Sequence, residues 1–132
     1  MIEPFLWPAR VYYEDTDAGG VVYYANYLRF MERARTEWLR SLGVEQDRTR
    51  AELGIIFVVV SVEINYGSPA RFNDALEVSV TVPELKNASL TFAQDVTRDG
   101  EILCSAKVRV ASVDAETLKP RPLPPGLKEA AR

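Results

Sequence analysis

Apolar residues recur along this chain with two different periods. From Ala25 to Leu42 the period is helical. Tyr27, Met31, Ala34, Trp38 and Leu42 follow one another at intervals of four, three, four and four, which places them on one stripe of an α-helix. Arg29, Glu32, Arg33 and Arg40 fall on the opposite, solvated side. Gly43 stands where such a helix ends, and Arg40 lies in the last turn, where a cation suits the helix dipole. Elsewhere the period is two. Val58, Val60, Val62, Ile64 and Tyr66 alternate with Val59, Ser61, Glu63 and Asn65, and Leu76, Val78, Val80 and Val82 alternate with Glu77, Ser79 and Thr81. Ser89 to Thr97 and Ile102 to Val113 continue the pattern, joined by the turn signal Arg98-Asp99-Gly100. Phe5 to Tyr13 reads as a first strand, pushed toward a sheet edge or a bulge by Pro4 and Pro8. The charged stretch from Gln46 to Glu52 has room for a short helical turn. The proline-rich LKPRPLPPGL predicts an extended tail ending in a short helical stub.

The predicted order is strand, long helix, then four strands mostly linked by short turns. Each strand has one apolar face and the helix has one apolar stripe, so the economical solution is an α+β fold in which a curved antiparallel sheet wraps the helix. At 132 residues, with no internal repeat or linker, the expectation is one domain spanning 1–132.

Composition narrows the function. A formal charge of −3 gives no overall pull toward nucleic acid or anionic lipid. The N-terminal MIEPFLWPARVYY has neither a basic region nor a long apolar run, and no segment reaches the roughly 20 apolar residues of a membrane span. A cytoplasmic location is expected, which suits a single cysteine, Cys104. Cys104 lies in phase with Ile102, Ala106 and Val108, so it reads as a buried small apolar residue and not as a nucleophile. The absence of histidine is more restrictive. It removes Ser-His-Asp and Cys-His systems, HExxH zinc sites and any histidine base. Chemistry here must rest on carboxylates, tyrosines and backbone dipoles.

Those groups crowd into one stretch, YEDTDAGGVVYYANY, at the entry to the helix. The first amides of a helix lack intrahelical partners and attract negative charge. The amides from Val22 to Ala25, and that of Tyr24 above all, are therefore candidate donors to an oxyanion. Gly19 and Gly20 let the backbone approach a ligand. Glu14, Asp15 and Asp17 are candidate acids, and spacing does not choose among them. Asp15 is also placed to hydrogen-bond backbone amides and fix the loop.

The run VYYEDTDAGGVVYYANYLRFMERARTEWL resembles the signature of hotdog-fold acyl-CoA thioesterases of the 4-hydroxybenzoyl-CoA thioesterase type. It is most similar to the YbgC-like branch associated with the Tol–Pal system. The likeness continues through FVVVSVEINYGSPARFNDALEV, SLTFAQDV and KPRPLP, and so covers nearly the whole chain. It implies that Asp17, the second aspartate of Asp-x-Asp, is catalytic, as nucleophile or general base. It implies an active site between two protomers, with dimers that pair into tetramers, and coenzyme A as part of the substrate, without metal or redox cofactor. Tyr24 stands where the branch usually has histidine, which leaves the acyl group open between short aliphatic and aromatic. Substrate contacts are expected from Gly20, Val22, Tyr23 and Arg71, and in family terms from Lys86 and Ser89, near where the nucleotide end lies. Tyr13, Tyr23 and Tyr27 either line an acyl pocket or belong to the core. Glu63 shares phase with Ser61 and Asn65 and so faces outward. A module that binds acyl-CoA or acyl carrier protein without hydrolysis is the alternative. A hydratase or dehydratase on the same fold would need the missing histidine.

Overall fold

The computed structural model describes residues 3–131. Five strands, β1 (Phe5–Arg10), β2 (Ile55–Tyr66), β3 (Ala75–Leu85), β4 (Ser89–Arg98) and β5 (Glu101–Asp114), form one antiparallel sheet in the order β1-β3-β4-β5-β2. Helix α1 (Asn26–Ser41) packs chiefly against β3, β1 and β4. Its stripe of Tyr27, Met31, Ala34 and Trp38 is buried, and Phe30 and Leu39 widen it, while Leu42 is only half-buried. Facing it are Val78, Val80, Phe92, Val96 and Val108. The α+β architecture expected from the two periods is the one observed.

Three irregularities shift the strand phases, the first on β3, where Thr81 pairs with Ala93 and Glu84 with Thr91 so that one residue of Val82 and Pro83 is extra. On β2, Val59 pairs with Val110 and Ser61 with Arg109, so Val60 is an extra residue in a bulge. Before it Ile55, Phe57 and Val59 share the inner face, and after it Val62, Ile64 and Tyr66 do. Val58 and Val60, expected on that face, are not on it. On β5, Val96 pairs with Cys104 and Thr97 with Ile102, which makes Leu103 the extra residue. Leu103 and Cys104 are both buried as a result, and Ile102, expected in phase with the core, is exposed. A hairpin with positive φ at Asp99 and Gly100 joins β4 to β5.

Other boundaries also move. β1 stops at Arg10, short of the expected Tyr13, and Tyr13–Asp15 forms a single 3-10 turn. Gln46–Leu53 is a full helix, α2, closed by Gly54 in the left-handed conformation. The tail runs extended past Leu123, which is buried, and ends in the short helix α3 (Leu127–Ala130). Among the described residues no helix is long and apolar enough to cross a membrane.

Candidate active site

The loop between β1 and α1 is organised by Asp15, which is buried. Its Oδ2 accepts the Tyr12 amide at 2.8 Å. Its carbonyl accepts two donors, the Tyr23 amide at 2.8 Å and the Asn26 side-chain amide at 2.9 Å. Asn26 is buried, so the first residue of α1 is tied directly to the loop. Asp15 thus has the bracing role expected of it, and Asn26 is a positioning residue that the periodicity does not reveal.

Asp17 lies two residues further, in an exposed turn. Its amide donates to the Val21 carbonyl at 2.9 Å, and its carbonyl accepts the Gly20 amide at 3.0 Å. One carboxylate oxygen, Oδ1, accepts the Gly19 amide at 2.8 Å. Among the described residues nothing bonds Oδ2, which leaves half the carboxylate available while the other half sets its orientation. A Cβ on residue 19 would stand 3.2 Å from Oδ1 and crowd this bond, and Gly20 has φ +79°, a left-handed conformation that favours glycine.

The amide donors separate into two groups. Val22 donates to the Ala70 carbonyl at 2.9 Å and Tyr23 to Asp15, so neither amide is free for a ligand. Among the described residues no acceptor bonds the amides of Tyr24 or Ala25. The expected stretch of donors therefore narrows to these two, at the mouth of α1. The Tyr24 carbonyl is held in turn by the Tyr66 hydroxyl at 3.1 Å.

Aromatic rings surround this point. Tyr24 lies 4.9 Å from Tyr23 and 6.1 Å from Tyr66, and Tyr66 lies 5.7 Å from Tyr27, measured between ring centroids. Tyr27 is part of the core, and its hydroxyl accepts the Ala70 amide at 2.9 Å. Tyr13 stacks on Phe72 at the surface. Burial pushes the Tyr27 and Tyr66 phenols up, and the hydrogen bond to Tyr24 does the same for Tyr23. None of these three phenols is a base near neutral pH. Burial, with the Asp95 carboxylate nearby, pushes the Cys104 thiol up to about 11, so it is no nucleophile.

Arg71 is brought to the same place. It bridges to Val21 through the backbone, and its amide donates to Asp74 Oδ2 at 2.8 Å. Arg98 binds the same oxygen at 2.7 Å. Burial raises the Asp74 pKa, but the Arg71 amide and the Arg98 guanidinium outweigh it and hold the carboxyl below its ordinary value. Asp17, Gly20, Val22, Tyr23, Tyr24 and Arg71 thus share one end of the sheet. Lys86 and Ser89 do not join them. They lie at the turn beyond the far end of β3, roughly 33 Å along that strand. Lys86 there pairs with Glu84 at 3.1 Å, and Ser89 is buried at the start of β4. Glu63 is exposed, and its registration with Lys107 puts it on the outer face, as its phase predicts.

A sequence profile described as the thioesterase-like superfamily matches residues 11–131. The chain is 47% identical over 126 residues to the acyl-CoA thioesterase YbgC of Haemophilus influenzae, covering 96% of this chain and 93% of that protein. It is 46% identical over 121 residues to the acyl-CoA thioester hydrolase YbgC of Escherichia coli, covering 91% and 90%. Among solved structures, a "Probable Thioesterase" from Bartonella henselae superposes with a TM-score of 0.88 at 36% identity, over 92% of this chain and all of that one. The 1,4-dihydroxy-2-naphthoyl-CoA thioesterase of Synechocystis shares the fold, with a TM-score of 0.90 at 23% identity over 98% and 96% of the two chains. The aspartate turn and the unpaired amides at the helix mouth thus lie in a chain that belongs to the hotdog-fold thioesterase-like superfamily, in its YbgC-like branch.

Proposed function

We propose that this protein hydrolyses acyl-CoA thioesters to a free acid and coenzyme A, with Asp17 as the reactive carboxylate and the amides of Tyr24 and Ala25 as the oxyanion site. The observation that carries this reading is the pair of unpaired amides where α1 begins, beside a turn whose other donors are spent. A carbonyl oxygen held there gains negative charge as the thioester is attacked, and the helix N-terminus favours that charge. Asp17 acts in one of two balanced ways. It takes a proton from water as the water oxygen bonds to the carbonyl carbon, or it bonds to that carbon itself. In the second case it leaves an anhydride that water then opens. In either case the tetrahedral centre collapses by breaking the carbon–sulfur bond. The departing thiolate of coenzyme A is a stable enough anion to need little acid help, which is consistent with a site that has no histidine.

The site is completed by a second copy of the chain. Strand β2 is an open edge with Val59, Val60 and Val62 exposed, and such an edge recruits another strand. Pairing β2 with its own copy about a twofold axis near its middle sets the far end of one sheet beside the loop of the other. Lys86 and Ser89 of the second copy then come to the side on which the thioester is bound.

Asp17→Asn should keep the fold and bind acyl-CoA while losing about 10³-fold in turnover. Single-turnover hydrolysis in ¹⁸O water separates the two routes, since label in the Asp17 carboxylate marks the anhydride. Unchanged turnover in this variant would refute the role of Asp17. Wild-type binding without thiol release would instead make the chain a carrier module. Comparing acyl-CoA with acyl carrier protein carrying the same acyl group decides which thioester is preferred.

A further inference from the structure

Midway along α1 the fold holds an arginine that it does not fully use. Arg35 Nη1 donates to Gln94 Oε1 at 3.0 Å. Gln94 is buried on the inner face of β4, and its amide donates onward to the Met31 carbonyl at 3.0 Å, so both ends of that side chain are engaged. The guanidinium lies 5.8 Å from the centre of the Phe92 ring. Among the described residues no carboxylate is within ion-pair distance of it. Burial lowers its pKa, the mark of a charge taken partly out of water. A guanidinium offers five donors, and one neutral acceptor leaves most of them without a protein partner. Glu32 favours the charge from a distance, but it forms no ion pair with this half-buried guanidinium.

The same guanidinium and Glu32 line a cavity of about 200 Å³ whose apolar walls are Leu39, Phe57, Val59, Leu90 and Val110. That is the space of about seven waters, enough for a short acyl chain or one ring. Within one chain the cavity is far from the reactive loop. Tyr24 and Arg35 are separated by eleven residues, about 16 Å along the helix. The twofold pairing of β2 removes that separation. It sets the Tyr66 end of one strand, which carries the Tyr24 contact, against the Ile55 end of the other, beside Phe57 and the cavity.

We propose that Arg35 of one copy reads an acceptor oxygen at the far end of a short acyl group whose thioester is held by the Asp17 loop of the other copy. The proposal rests on the hydrolase reading above and deepens it. The enzyme then favours acyl groups with a terminal oxygen over plain alkyl groups of the same length, and Gln94 positions the guanidinium that makes the distinction.

Three coenzyme A esters of matched length test this: valeryl, 5-hydroxyvaleryl and glutaryl. Wild-type kcat/KM should favour the hydroxyl or the carboxylate over valeryl by about tenfold or more, as expected of a hydrogen bond to a charged group. A preference for glutaryl alone identifies an anionic partner, and a preference for both shows that a neutral oxygen suffices. Arg35→Met should bring the ratio to about one, and Arg35→Lys, which keeps the charge and loses the fork, should bring it partway. A ratio that survives in Arg35→Met, or a wild type indifferent to the terminal group, overturns the proposal; in either case turnover of valeryl-CoA leaves the hydrolase reading standing. No turnover of any ester would overturn both. Because the two residues come from different copies, a heterodimer of Asp17→Asn with Arg35→Met regains one intact site and about half the wild-type glutaryl rate. Activity no higher than that of the Arg35→Met homodimer would place both residues in one chain and sink the shared site.

Discussion

The sheet has two edges, and they are built on opposite plans. β1 is six residues long, and Pro8 removes one donor from it. Its C-terminal end is tied down, since the Val11 amide donates to the Asp74 carbonyl and Arg10 Nη1 donates to the Asn73 carbonyl. β2 is twelve residues long, contains no proline, and carries valines that the fold leaves in solvent. Helix α1 covers the β1 side of the sheet and α2 packs on β2, whose inner-face Val59 and Val62 stay exposed. A short edge broken by proline resists further pairing, and a long, valine-rich one without proline invites it. This difference is what the proposed pairing through β2 rests on. The reactive loop starts from the β1 side, and its helix mouth reaches the β2 side through Tyr24 and Tyr66.

That contrast breaks most easily at β2. Val62→Asp should yield a folded monomer by sedimentation velocity and cost about 100-fold in kcat/KM, because misplacing one half of a site has effects of that size. Leu6→Asp, an equally exposed apolar position on β1, should change neither mass nor rate. A dimer that persists in Val62→Asp, or dissociates in Leu6→Asp, would reverse the assignment of the two edges. A smaller effect is expected where the loop meets α1. Asn26→Ala removes one of two donors to the Asp15 carbonyl and should cost about 1–2 kcal/mol in urea unfolding. Turnover should fall by more than stability alone explains. The smallest effect lies on the β1 side, at Asp74. Its folded pKa is below the ordinary 3.8, so its contribution is present above the unfolded value and is lost as pH falls through the folded one. Asp74→Asn should therefore lower Tm at neutral pH, by the equivalent of about 1 kcal/mol or less for a pair still partly open to solvent, and the gap should close in acid.

Much of this was legible from residue order, and the failures have local causes. The stripe on α1 stands out because sixteen residues repeat one period, and the alternation of β4 and of β3 up to Val80 because no extra residue breaks it there. Bulges leave no such trace. A single extra valine among Val58, Val59 and Val60 looks like any other, yet it moves half of β2 to the opposite face. Helix α2 has no apolar stripe to betray it, and only Gly54 marks its end. In the site, Asp15 was readable because a short carboxylate before a helix has few alternatives. That its carbonyl would capture the Tyr23 amide was not, since this depends on where the loop folds back. The signal for Gln94 was present: it shares phase with Leu90, Phe92 and Val96, and a polar side chain in such a row needs a buried partner. Lys86 and Ser89 came from family likeness, and one chain by itself keeps them a sheet's length away from Asp17.

The lone thiol has a practical consequence. Cys104 lies under the bulge at Leu103, almost wholly shielded, and is protonated at any ordinary pH. An alkylating reagent reaches it only when the strands part, so its rate of modification clocks the opening of the sheet without any added label.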